Sequence, residues 1–559
     1  MWLTLTANRV DLKSSMAQHE SRFNSLDTDT QNIIQTLRNS ETIRAVQFQF
    51  LSEQQAKEHK ETRDTLLKHN EQRFERQVEL SLLESLKFPT MSHRAENIKP
   101  AHAKTFEWIF APPKQAIEAM KETYKETYKN VEYFMPPGKW SDFGQWLEAR
   151  SGIYWINGKA GSGKSTLMHF IADHPETKRR LNIWKNGSIL ESPAFYFWNS
   201  GVAEQCSQAG LLRSLLHDVL SRQRQLIPGV FPNYWKKNLD LAKHSVTPTA
   251  EYWSYSQLEL AFGRLVKSAS ENLRFCFFID GLDEYSGDFG ELSDYFLDQA
   301  DNEFIKFCLS SRPLTELKNS LCEQPKLSLQ NLTRGDIKRY INDMLKANKK
   351  MEALSRRNPK ETADIIKQIA NDSSGVFLWV TLVVKTLLTG LRKQDSTKDL
   401  KKRLSKMPKD LEKVYGSMLD SIEDIYVEEG IFIFSLYERA TYSRKLLSPA
   451  DLYIALIVDQ HRVFGPYEAD LQKALSEPVI VLNSFHTLPK AELLRSESFY
   501  DADSLHEVVE LRLATRCGGL LELSESGNVE YLHRTARDFF YKNETALKSR
   551  ALSSHGYSE

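Results

Sequence analysis

Residues 153–166 read Ile-Tyr-Trp-Ile-Asn-Gly-Lys-Ala-Gly-Ser-Gly-Lys-Ser-Thr, an apolar strand running into the pattern G-x-x-x-x-G-K-S/T. Leu167 to Ala172 continue as a helix, so the motif stands in the strand–loop–helix context it requires. Gly158, Gly161 and Gly163, with the small Ala160 and Ser162 between them, let backbone N–H groups turn inward around a phosphate. The helix beginning near Lys164 aims its positive end at the same anion. Lys164 supplies a charge for the β- and γ-phosphates, Ser165 a hydroxyl for Mg²⁺, and Thr166 completes the contact set. The expected ligand is ATP or ADP.

Downstream, short apolar strands alternate with helical patterns: Ala194–Trp198, Phe275–Ile279, Ile305–Leu309 and Lys326–Leu329 are separated by helices such as Leu211–Leu220 and Asp336–Leu345. That alternation implies an α/β core with a mainly parallel sheet and helices on both faces. Arg274 to Asp280 is five apolar residues ending in an acid, a buried strand with its carboxylate at the C-terminal end, where such sheets place ligands. Asp280 suits Mg²⁺ coordination, so Ser165 and Asp280 form the expected metal pair. Gly281-Leu282-Asp283-Glu284 follows; Asp283 or Glu284 either polarises the attacking water or caps the next helix. Ser310-Ser311-Arg312-Pro313 closes another strand, and Arg312 is either a fork-shaped donor for the γ-phosphate or a surface arginine.

The remainder is helical or mixed. Residues 12–85 are rich in Gln, Glu, Lys and Arg, hold no proline or glycine, and carry one weak stripe of Leu37, Ile43, Val46, Phe50 and Leu51. This reads as a solvated helical or coiled segment, or alternatively as a helix that binds an effector or sensor partner. Trp140 to Arg150 reads as a short helix, Pro136-Pro137-Gly138 as a turn, and the ETYK duplicated at 122–129 is too short to be a repeat unit. Amphipathic helices dominate from 334 to about 425. The stretch to about 545 mixes a helix at Ile431–Glu438, a helix start at Ser448-Pro449 and a strand–helix unit at Gly519–Phe540. The expected division is therefore 1–90, 100–333, 334–425, 426–545 and a disordered tail at 546–559, consistent with 559 residues and three or four domains.

Lys plus Arg and Asp plus Glu both number 74, so no bulk field draws the chain to nucleic acid. The five cysteines, Cys206, Cys276, Cys308, Cys322 and Cys517, never form a CxxC pair, which favours a reducing compartment over a disulfide framework. The N-terminus lacks the basic and apolar regions of a signal peptide. The longest apolar run, Val376 to Leu391, is broken by Lys385 and falls short of a membrane span. A cytoplasmic protein is expected.

Taken together, "AHAKTFEWIF" (101–110), "FGQWLEARSGIYWINGKAGSGKSTLMHFI" (143–171), "GLLRSLLHDVL" (210–220), "FCFFIDGLDEY" (275–285), "LSSRP" (309–313), "SGVFLWVTLVVKTLLTGL" (374–391) and "LHRTARDFF" (532–540) resemble the NACHT class of signal-transduction ATPases. More closely, the sequence is similar to fungal NACHT proteins whose ATPase region is nephrocystin-like. The resemblance implies a P-loop core, a helical domain and a winged-helix domain around one nucleotide, closed with ADP and opening with ATP to self-associate. In related switches a histidine before a winged-helix-domain helix reaches the ADP β-phosphate; His533 matches that place, with a purely structural histidine as the alternative. The usual C-terminal repeat sensor is absent and the N-terminus resembles the trailing end of an effector domain. Either the chain is clipped or it depends on other chains for sensing and output.

Three functions compete. One is a slowly hydrolysing nucleotide-gated switch in self/non-self recognition or incompatibility. Another is a motor-type ATPase remodelling a substrate, and the last a scaffold with a structural nucleotide. The helical and winged-helix-like regions following the core favour the switch.

Overall fold

The computed structural model describes residues 2–115, 140–149, 151–244, 246–247, 251–443, 445–462, 502–524 and 526–554. The ETYK duplication and the Pro136-Pro137-Gly138 turn lie outside them. The chain divides into two compact units, residues 1–81 with 236–249, and residues 82–235 with 250–559.

The first unit is built on helix α1 (Trp2–Leu86), whose final turn from Leu82 belongs to the second unit. Leu37, Ile43, Val46, Phe50 and Leu51 are each more than half exposed, so the weak stripe faces solvent rather than a core of the described residues.

The second unit holds a six-stranded, all-parallel sheet: β1 (Gly152–Asn157), β2 (Ile189–Glu191), β3 (Ala194–Tyr196), β4 (Leu273–Asp280), β5 (Ile305–Ser311) and β6 (Lys326–Ser328). The order is β2-β4-β5-β1-β6, with β3 also paired to β4. All of β5 and nearly all of β4 are buried on both alternating faces, the pattern of a doubly covered parallel sheet. Helix α2 (His93–Glu96) precedes the sheet and α3 (Phe143–Ala149) leads into β1. Tyr154, Ile156, Cys276, Phe278 and Cys308 pack with Phe143 and Trp146 of α3 and with Leu167, Met168 and Ile171 of α4 (Lys164–Asp173). On the opposite face Phe277 stacks between Phe262 of helix α5 (Tyr255–Lys267) and Phe307, which meets Phe296 of α6 (Phe289–Ala300).

After β6 the strands stop. Helices α7 (Arg334–Lys346), α8 (Pro359–Asp372), α9 (Phe377–Arg392) and α10 (Leu411–Asp420) lead to α11 (Val427–Tyr442), α12 (Pro449–Arg462) and α13 (Ala502–Arg516). The antiparallel pair β7 (Leu521–Leu523) and β8 (Val529–Tyr531) and helix α14 (Arg534–Ser554) complete the chain. One apolar core runs from Ile337 to Leu547 through all of these, so residues 334–425 and 426–545 share a single interior.

One sequence expectation is corrected, and one strand was not read. The tail expected to be disordered from 546 is helical to Ser554, because Leu547, only 5% exposed, anchors α14 to that core. The short edge strand β2 went unread because its three residues carry no alternation long enough to register. Among the described residues no helix is long and apolar enough to cross a membrane, and all five cysteines are free thiols.

Candidate nucleotide site

Strand order alone assembles the site. β5 lies between β1 and β4, all three parallel, so the loop after β1, the acids after β4 and Ser310-Ser311-Arg312 at the end of β5 emerge at one sheet edge. Carboxyl edges of parallel strands are where such sheets bind ligands.

The loop 158–163 wraps back on itself. Gly161 has φ +68° and Gly163 φ +93°, left-handed values that disfavour side chains. At Gly161 a Cβ would also fall 2.9 Å from Leu378 Cβ. That crowding arises because the N-terminal turn of α9 rests on the loop: the Leu378 N–H donates to the Gly161 carbonyl at 3.0 Å. Gln330 braces the other side, accepting from the Lys159 N–H at 3.2 Å. The "SGVFLWV" segment thus serves as a wall of the loop.

Within this cradle Lys164 donates to the carbonyls of Gly158 (3.0 Å) and Lys159 (3.2 Å). Burial pulls its ammonium below the ordinary lysine value, against the opposing pull of Asp283 and Asp280. Ser162 Oγ is fully buried with no hydrogen-bond partner, an orphan polar atom in the wall of the loop. Asp280 is 1% exposed and accepts from the hydroxyl of Ser310, with the Ser165 hydroxyl also favouring its ionised form. Burial raises its carboxyl while those hydroxyls and the charges of Arg94 and Lys164 restrain it.

Asp283 and Glu284 are also here, but each is already engaged. The Arg312 N–H donates to Asp283 at 2.8 Å, its guanidinium lies 3.1 Å away, and Arg534 Nη2 pairs with the same carboxylate. Burial opposes ionisation of Asp283, yet Arg534, Lys164 and Arg312 outweigh it and hold the carboxyl below its usual value. Glu284 accepts from the Asn199 N–H (3.2 Å) and pairs with Arg534 Nε (3.3 Å), while burial raises its pKa. Neither acid caps a regular helix; both lie in a single 3₁₀ turn.

His533 stands just before α14. Its Nδ1 accepts from the Thr535 N–H at 3.2 Å, which leaves the proton on Nε2. Burial, reinforced by Arg534, Arg94, Arg312 and Lys164, drives its pKa far below the ordinary range, so the ring is neutral. The structure therefore brings Gly158–Thr166, Asp280, Asp283, Glu284, Arg312 and His533 into one region.

Sequence reasoning missed Arg94, Asn199, Gln330 and Arg534. Arg534 left one signal: it is the first residue of a helix, where the macrodipole disfavours a cation unless carboxylates face it. The contacts of Arg94 and Gln330 depend on long-range packing and leave none.

Residues 139–312 match the family model described as Nephrocystin 3, N-terminal. That match covers strand, loop, acids and Arg312 at once. The core is a nucleotide-binding P-loop NTPase. Among solved structures, the Aeropyrum pernix ORC2 protein, described in ADPNP–ADP complexes, aligns with 82% of this chain and 98% of its own at 12% identity. Its TM-score is 0.27, too slight a likeness to carry an argument. No curated protein matches the chain.

Proposed function

We propose that this P-loop NTPase is an ATP/ADP-gated switch of the NACHT type, hydrolysing slowly, and that the conformation described is its closed form. The observation that carries the reading is the return of the C-terminal helix to the site. Arg534 pairs with Asp283 and Glu284, and His533 stands next to it with its proton on Nε2. A motor needs its acids free for continuous turnover; here both are clamped from within the same chain.

In this reading the loop N–H groups, Lys164 and the orphan Ser162 hydroxyl take the phosphates. Lys164 exchanges two loop carbonyls for them, and His533 donates to the β-phosphate of ADP. The buried Asp280, whose ionised form the Ser165 hydroxyl favours, fits a hard divalent cation, so those two residues would hold Mg²⁺, which neutralises phosphate charge when bound. Asp283 or Glu284 positions the water once Arg534 withdraws, and Arg312 then faces the γ-phosphate. Opening separates α14 from the acids, and the ATP form self-associates.

The hairpin β7–β8 flanked by α13 and α14 supports a winged-helix-like unit at 426–545, and α7 to α10 the helical domain. Helix α1 serves a partner effector or sensor. The setting is cytoplasmic, in fungal self/non-self recognition or heterokaryon incompatibility. The test is the nucleotide content and mass of the purified chain before and after exchange into ATP. Co-purified ADP, slow turnover and a larger species in ATP are expected; fast steady turnover of a monomer would defeat the switch.

A further inference from the structure

The charges of this neutral chain are segregated. Residues 251–303, which contain α5 and α6, hold 12 Asp and Glu against 3 Lys and Arg, whereas residues 334–425 hold 20 Lys and Arg against 13 Asp and Glu. Helix α6 buries Leu292, Ser293 and Phe296 and turns Glu291, Asp294 and Asp298 outward, with the exposed Asp301 as its C-cap. Steps of three and four place these acids on one face, where like charges repel. Asp298 and Asp301 also stand at the negative end of the macrodipole, and the last turn holds no base.

A second row has the opposite sign. The helix Thr397–Lys406 buries Leu400 and Leu404, and Lys398, Lys402 and Lys406 recur every four residues on its exposed face. Their neighbours Lys401, Arg403 and Lys409 pair with Asp364, Asp395 and Asp372 of the same helical region. Among the described residues, none of the four acids or three lysines in the two rows makes an ion pair. Asp399, beside Lys398 and Lys402, is held by the Ser396 N–H at 3.0 Å and the Ser396 hydroxyl at 2.6 Å. The rows match in length, about 15 Å from Glu291 to Asp301 and about 12 Å from Lys398 to Lys406. A polyanion would satisfy the lysines and leave the acids of α6 unanswered; a second copy of this chain answers both.

We propose that the two rows are the halves of a contact between copies of this chain, the acidic face of α6 on one copy against the lysine face of Thr397–Lys406 on the next. Different patches meet, so the contact is heterologous and builds a ring or a filament rather than stopping at a dimer. It names the surfaces for the self-association proposed above and rests on that reading. The test is sedimentation of the full chain with Mg²⁺ and a non-hydrolysable ATP analogue. Wild type should assemble at about 0.05 M salt and dissociate toward about 0.5 M, as the charges are screened. Reversing the basic row (Lys398→Glu, Lys402→Glu, Lys406→Glu) or the acidic one (Asp294→Lys, Asp298→Lys, Asp301→Lys) should each weaken association about tenfold or more, the effect of three exposed pairs. Mixing the two reversed chains, or placing both reversals in one chain, should recover it, which damage to the fold does not do. Replacement by Gln and Asn carries the test if a reversed chain does not fold. Association that neither reversal changes, that only one reversal changes, or that mixing does not recover overturns the contact while leaving the switch standing. A wild type that stays monomeric overturns the proposed self-association, and the contact with it.

Discussion

Arg534, the first residue of α14, forms an ion pair with Asp283, 251 positions earlier, and both side chains are buried, with 9% and 2% exposure. A cation at a helix N-terminus works against the macrodipole, and two carboxylates compensate it here. Removing one partner of a buried pair costs about 3–5 kcal/mol, and the low end applies because Arg312 still faces Asp283. Arg534→Gln should therefore lower the melting temperature, speed ADP release and raise self-association at equal concentration. Stability loss with an unchanged ADP off-rate and mass distribution would mean that the pair holds the fold but not the switch.

Lys164→Ala should remove stable nucleotide binding. A charge-assisted contact is worth about 1.5–3 kcal/mol, or roughly 10–150-fold in affinity. Without ligand the variant should melt close to wild type, since Lys164 gives up only two bonds to loop carbonyls. The ligand-induced rise in melting temperature should vanish. Undiminished affinity by calorimetry contradicts the assignment.

Much of this site was legible because its parts are local. The loop motif, the apolar strand ending in Asp280 and the strand ending in Arg312 each declare themselves within a few residues, and parallel strands then bring their ends together. What stayed hidden is non-local. Nothing in the neighbourhood of Arg94 foretells that α2 docks beside Trp198, nor does Gln330 announce its bond to Lys159. The engagement of Asp283 and Glu284 stayed hidden for the same reason: their sequence shows free acids, and the arginines that occupy them arrive from the end of β5 and from α14. Residues 546–559 read as disordered from their polarity, although the single anchor Leu547 suffices to continue a helix already begun as far as Ser554.

Asp283 and Glu284 should separate on conservative replacement. Asp283 faces two arginines and is held ionised, a structural duty, whereas Glu284 keeps a raised pKa suited to accepting a proton. Glu284→Gln should leave nucleotide affinity within about twofold and slow single-turnover hydrolysis about 10²–10⁴-fold, the range of general-base catalysis. Asp283→Asn should mainly destabilise the closed form. Wild-type hydrolysis in Glu284→Gln transfers the role to Asp283 or to neither.

His533→Ala should raise the ADP dissociation rate about 5–30-fold, the equivalent of one bond of about 1–2 kcal/mol, with little change in ATP affinity. Because the ring is neutral with its proton on Nε2, the ADP off-rate should also stay flat with pH from 6 to 8 as far as this residue governs it. A lower melting point beside an unchanged off-rate would reduce His533 to the N-terminal cap it forms with Thr535.

Glu530 gives a pH dependence of definite sign. It is 8% exposed, accepts from Asn97 and faces His93 at 3.6 Å, with Arg94 lowering its pKa and Glu522 raising it. Burial raises its pKa from 4.5 to about 7, more than Arg94 and its hydrogen bonds lower it. The folded chain thus holds a proton that the unfolded chain has lost between those two values. Stability from this group is complete below about pH 4.5, falls as pH rises toward 7 and is constant above. The full swing is about 3 kcal/mol at most. Burial depresses His93 instead, which adds a slope of opposite sign below its ordinary value, so the wild-type curve alone is ambiguous. Glu530→Gln keeps an oxygen for Asn97 and removes only the proton. Chemical denaturation of both chains from pH 5 to 8 should show Glu530→Gln gaining on wild type as pH rises, by up to that swing. Parallel curves would mean that Glu530 ionises in the folded chain at its ordinary value.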